Sequence, residues 1–82
     1  MRAWTVYLLR CGDGSLYTGV TNDLRRRLAA HRAGKGSAYT RARRPLSLVW
    51  IETQPSHGAA LRREAALKRL PRSAKLSLVD AS

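Results

Sequence analysis

The chain has 82 residues, enough for one small domain and too few for two. Its residues are 44% hydrophobic and 6% aromatic, with no Phe, a globular composition and not a disordered one. Sixteen Lys and Arg against five Asp and Glu leave a net charge of +11. The single Cys excludes an internal disulfide, and with two His it also excludes a zinc finger.

Trp4 to Arg10 (WTVYLLR) is β-branched and aromatic and reads as a strand. Cys11 to Ser15 is a turn cluster with the hairpin signal Asp13-Gly14, and Leu16 to Val20 is the returning strand. Gly19 inside that strand signals a bulge or a close backbone approach. Thr21 and Asn22 are N-cap candidates for a helix from Asp23 to Arg32, which stops before Gly34. Gly34 to Arg44 is polar, basic and glycine-containing, and is expected to be an exposed loop. After Pro45, Leu46 to Glu52 (LSLVWIE) is a third strand, expected to be central or largely buried. Ser56 caps a second helix from His57 to Leu70, Pro71 stops it, and Ser73 to Val79 forms a short final helix. The order β-β-α-β-α-α gives an α/β (α+β) fold in a single domain, residues 1–82. Its core is a small, three-stranded, mostly antiparallel sheet flanked by helices. The first nine residues suit neither a signal peptide nor a spanning helix, so a cytoplasmic location is expected.

A surface this basic repels itself and calls for an anionic partner. Most of the cations are Arg, whose planar fork suits bidentate phosphate contacts, so nucleic acid is the expected partner. A membrane surface is the other option, but no basic amphipathic helix carries Trp or Phe along its apolar side.

Helical geometry places some polar residues where apolar ones belong. In the first helix Leu24 and Leu28 define the apolar stripe, His31 falls within it, and Arg27 borders it one turn earlier. Arg25, Arg26 and Arg32 point away toward solvent. Arg27 and His31 are either a snorkelling cation and a satisfied core ring or a functional pair. In the second helix Ala60, Leu61 and Leu67 mark the inner face, Glu64 sits among them, and Arg62, Arg63 and Arg69 cover the outside. A buried carboxylate needs a partner, so Glu64 either pairs with a cation such as Lys68 at i+4 or holds a metal. Tyr7 and Tyr17 flank the hairpin turn; they either pack across the strands or present hydroxyls to Arg27 and His31.

Together these residues resemble the GIY-YIG nuclease superfamily. Thr5-Val6-Tyr7 stands for its first motif and Tyr17-Thr18-Gly19 for its second. Asn22 to Leu28 (NDLRRRL) resembles the family's helix, with the essential Arg at Arg27 and the His of many members at His31. Glu64 matches the metal-binding Glu. Gly36 to Pro45 and Arg72 to Leu76 are most similar to the small, stand-alone bacterial YhbQ-like group. The sequence departs from the family pattern where Thr5-Val6 replaces Gly-Ile, where Thr18 replaces Ile, and in having no Asn after Asn22.

The resemblance implies metal-dependent hydrolysis of phosphodiester bonds, DNA being the first expectation and repair or recombination the setting. Glu64 would hold Mg²⁺ or Mn²⁺, and Arg27 would clamp the scissile phosphate. Tyr7 would help activate water, with its pKa lowered by nearby positive charge and with His31 and Tyr17 orienting or relaying its proton. Base duty stays open between Tyr7 and Tyr17. Arg25, Arg26, Arg62 and Arg63, with Lys35, Arg41, Arg43 and Arg44 of the loop, would grip the backbone. Tyr39 either stacks on a base or anchors that loop. Trp4 and Trp50 are expected in the core, and Cys11 as an incidental thiol. One site per chain implies nicking by a monomer or weak dimer. The competing function is a DNA- or RNA-binding module of the same fold that does not cut.

Overall fold

The structure, a computed structural model, describes residues 3–81. Three strands, β1 (Trp4–Arg10), β2 (Leu16–Thr21) and β3 (Ser47–Gln54), form one antiparallel sheet in the order β2-β1-β3. The hairpin turn between β1 and β2 is held by Asp13, whose carboxylate accepts from the Ser15 amide at 3.0 Å and hydroxyl at 2.6 Å. Gly14 supplies the positive φ of +84° that this turn requires.

β1 is central because its run Val6 to Leu9 is apolar or aromatic on both faces, and all four residues are at most 1% exposed. Val6 and Leu8 join Trp50, Ala60 and Leu67 in the hydrophobic core, with Trp4, Val20, Leu70, Leu78 and Val79 packed around it. Tyr7 and Leu9 face the other way.

The third strand corrects one expectation. β3 is an edge strand and Ile51 on it is 52% exposed. Leu46 to Glu52 is apolar enough for a central strand. The position beside both other strands, however, belongs to β1, which is the one flanked by the hairpin partner and the returning chain.

Four helices complete the described residues: α1 (Leu24–Arg32), α2 (Ala38–Arg41), α3 (His57–Lys68) and α4 (Arg72–Ala81). Asp23 caps α1, accepting from the Arg26 amide, and Ser56 caps α3 in the same way through the Ala59 amide. α2 lies where an exposed loop was expected; its single turn is too short for a periodic signal, and Ser37 caps it through the Thr40 amide at 3.1 Å. On α3, Ala60 and Leu67 are buried while Leu61 is 44% exposed, against its assignment to the inner face. At 100° per residue Leu61 stands well round the helix from the line through Ala60, Glu64 and Leu67. No helix among the described residues is long and apolar enough to cross a membrane.

Thr18 lies on the core side of β2, 4% exposed, and its hydroxyl has no hydrogen-bond partner among the described residues. A buried unpaired hydroxyl costs about 1–3 kcal/mol. Thr18→Val, which keeps the branched shape, is therefore expected to raise stability by about 1 kcal/mol. Urea unfolding checks this, and a lowered midpoint would show that the hydroxyl is satisfied.

Candidate active site

The site grows from the face of the sheet opposite the main core. In the antiparallel register Tyr7 lies across from Gly19, and Tyr17 across from Leu9, so the two tyrosines are diagonal neighbours on one face. A Cβ on Gly19 would run into the Tyr7 phenol ring. The glycine thus gives the ring room over β2.

α1 presents Arg27 and His31 to this face, one helical turn apart. His31 is fully buried. Its Nε2 lies 2.9 Å from Tyr7 Oη, and its Nδ1 lies 2.9 Å from Thr40 Oγ1 on α2. Tyr17 meets the same imidazole edge-on, with ring centroids 5.4 Å apart. The Arg27 guanidinium lies close enough to the Tyr7 and Tyr17 phenols to act on both, and its Nη2 donates to the Gly36 carbonyl at 3.0 Å. Gly36 is needed there, because a Cβ would strike the His31 ring.

Burial pushes the His31 pKa below its ordinary value, and the Arg27 charge adds to that push. At neutral pH His31 is therefore an uncharged imidazole. Tyr7 moves up: burial outweighs the pull of Arg27 toward the phenolate, and Tyr17 and Glu64 oppose ionisation too. The expected lowering by nearby positive charge is overturned, because desolvation sets the sign. Arg27 itself is raised, chiefly by its interaction with the Tyr7 phenol.

Glu64, on the inner line of α3, keeps 21% of its side chain exposed and lies 3.5 Å from Lys68 Nζ. The i,i+4 ion pair exists, and the carboxylate is also close enough to act on Tyr7. Tyr7, Tyr17, Arg27 and His31 thus meet directly, while Glu64 stands at their margin.

The basic residues divide into two sets. Arg25, Arg26, Lys35, Arg41, Arg44 and Arg62 are exposed. Arg43 instead pairs with Asp13 at 3.0 Å and lies 3.8 Å over the Tyr39 ring. Arg63 pairs with Glu52 at 2.8 Å; at about 60° from the Ala60 direction it reaches the sheet and does not point outward as expected. Tyr39 lies between Arg43 and Tyr17, whose ring centroid is 5.9 Å away. Both of its contacts are internal, as in the anchoring alternative. A groove of about 200 Å³ beside Arg27 is lined by Thr21, Asn22, Asp23, Arg26 and Ala30.

Sequence reasoning missed Thr40 and Ser37. Their one signal is the Ser37-x-x-Thr40 spacing of a capped turn inside a stretch that otherwise reads as loop.

A sequence profile described as the GIY-YIG catalytic domain matches residues 3–77, nearly the whole chain. This chain belongs to the GIY-YIG superfamily. Among relatives of this GIY-YIG domain, a UPF0213 protein of Streptococcus sanguinis is 53% identical over 74 residues, 90% of this chain and 85% of that one. One of Xanthomonas axonopodis is 47% identical over 81 residues, 99% and 79% of the two chains. These small relatives place the domain in the YhbQ-like group. The solution NMR structure of the UPF0213 protein BH0048 from Bacillus halodurans matches at 45% identity and a TM-score of 0.64, over 98% of this chain and 85% of that one. That of EF2693 from E. faecalis matches at 34% and 0.68, over 99% and 86%. GIY-YIG is a nuclease superfamily, so membership supports endonuclease activity in general and implies a nucleic-acid substrate.

Proposed function

We propose that the protein is a metal-dependent endonuclease that hydrolyses DNA phosphodiester bonds by structure-selective or nonspecific nicking, in the service of repair or recombination. The observation that carries this reading is the 2.9 Å contact of Tyr7 Oη with His31 Nε2, with Arg27 and the Glu64 carboxylate near enough to act on the phenol. A packed core alone would have no use for a cation, a phenol and an uncharged imidazole in series.

Glu64 fits the role of metal ligand. It is a half-buried carboxylate whose ion pair with Lys68, at 3.5 Å, is long and easily exchanged. No group of three or more His, Cys, Asp and Glu gathers among the described residues, so Glu64 would bind alone. That donor set suits Mg²⁺ or Mn²⁺, with waters and a substrate phosphate oxygen making up the shell. Bound there, the ion would offset charge on the leaving oxygen.

The protein's own residues do the rest. Arg27 clamps the scissile phosphate and stabilises its added charge. Tyr7 is held as a phenol by burial, so it cannot start as a free base. It acts instead in a concerted transfer: as Tyr7 Oη takes a proton from the attacking water, its own proton passes to His31 Nε2. Tyr17 packs against His31 and shares Arg27, which suits it to orient the water. The exposed arginines and Lys35 track the backbone without reading sequence. One site per chain nicks, as a monomer or weak dimer, and a double-strand cut takes two encounters.

The Lys68 ion pair favours a second reading, a DNA- or RNA-binding module that leaves Glu64 without a metal. Supercoiled plasmid decides between them. With Mg²⁺ or Mn²⁺ the wild type is expected to produce nicked circles, and Glu64→Ala to lose metal-dependent nicking. Plasmid bound but uncut by both proteins would favour the binding module.

A further inference from the structure

At both ends of the Tyr7–His31 pair stand groups that bear on the direction of its hydrogen bonds. Arg27 has only donors, and its guanidinium lies close enough to the Tyr7 phenol to act on it. A donor-only cation beside the Tyr7 oxygen favours the arrangement in which the Tyr7 hydroxyl donates to His31 Nε2, 2.9 Å away. At the far end the Ser37 carbonyl can only accept, and Thr40 Oγ1 lies 3.3 Å from it. The Thr40 hydroxyl can donate to that carbonyl, which leaves a lone pair for His31 Nδ1, also 2.9 Å away. The whole line can thus run one way, from the Arg27 side through Tyr7, His31 and Thr40 to Ser37.

Thr40 is well held for this part. It is fully buried, its own amide is tied to Ser37 Oγ at 3.1 Å, and the two hydroxyl oxygens are 2.9 Å apart. Its β-branched side chain has few rotamers to choose from on a helix. The turn α2 thus sets one oxygen against one ring nitrogen.

We infer that Thr40 is a positioning residue of this site: its hydroxyl accepts the Nδ1 proton of His31 and keeps Nε2 bare toward Tyr7. An imidazole has two neutral tautomers, and the partner of one nitrogen selects the state of the other. With the opposite tautomer Nε2 would carry hydrogen, and Tyr7 could not pass a proton to it. The inference deepens the proposed nuclease chemistry and rests on it for its consequence, but not for its geometry.

The test therefore reads the tautomer and the activity separately. Long-range ¹H–¹⁵N correlation spectra of ¹⁵N-labelled protein report which nitrogen of His31 bears the proton. Wild type and Thr40→Ser are expected to show the Nδ1–H form near neutral pH. Thr40→Val, with its fold verified by amide dispersion, is expected to shift toward the Nε2–H form. An Nε2–H tautomer in the wild type, or one unchanged in Thr40→Val, overturns the inference whether or not the protein cuts DNA. In plasmid nicking Thr40→Val should fall roughly 10²-fold and Thr40→Ser should stay near wild type. A switched tautomer with undiminished nicking also overturns the positioning role. Absence of nicking from the wild type strikes at the proposed activity alone, and the spectra still decide for Thr40.

Discussion

Arg27→Ala should lower phosphodiester cleavage by roughly 10²–10³-fold, the usual loss when one preorganised donor to developing charge is removed. DNA retention should change little, because Arg25, Arg26, Arg41, Arg44, Arg62 and Lys35 remain exposed for backbone contacts. The fold also loses one charge-assisted bond, the 3.0 Å contact of Nη2 with the Gly36 carbonyl. That loss is worth about 1.5 kcal/mol, too little to unfold a domain of ordinary stability. Nicking rate measured beside filter binding separates the two effects. An equal fall in both would show Arg27 to be a grip and not a clamp.

Gly19→Ala should cost about 3 kcal/mol, the upper end of overpacking effects. Its methyl would enter the space of the Tyr7 ring, and that ring is fully buried, so neither can yield toward solvent. β2 would have to move away from β1, carrying Tyr17 with it and loosening the pairing at Tyr7. Urea unfolding gives the number. Adding Tyr7→Ala to Gly19→Ala removes the obstacle, so the double variant should be less unstable than the two single losses summed. Strict additivity would locate the damage in the backbone and not in the ring.

Most of the fold could be read from the sequence because its signals are local. Asp13-Gly14 marks the hairpin, Ser56 and Pro71 bracket α3, and the β1 run announces a strand. What could not be read depends on neighbours. Whether β1 or β3 takes the central place is settled by pairing, and Leu46 to Glu52 is as apolar as a central strand would be. α2 escapes notice because one turn has no period, and its meaning lies in Thr40 reaching a ring nine residues earlier in the chain. Of the four residues that meet in the site, Arg27 and His31 carried the signal of polar groups at an apolar stripe, and Tyr7 and Tyr17 that of neighbours flanking one hairpin turn. The sign of the Tyr7 shift carried none, since it turns on how much water the closed fold excludes.

The position of β3 bears on how the protein behaves in a tube. Ser47–Gln54 is an eight-residue sheet margin that contains no Lys, Arg or Pro, the usual deterrents against another chain zipping onto it. Protection comes from farther off, from the mutual repulsion of molecules that each carry +11. That repulsion is colloidal and fades as ionic strength rises, the Debye length shrinking to about 3 Å at 1 M salt. The concentrated salt that strips such a protein from nucleic acid therefore also bares its margin, and long polyanions that crowd many copies together do the same by neutralising them.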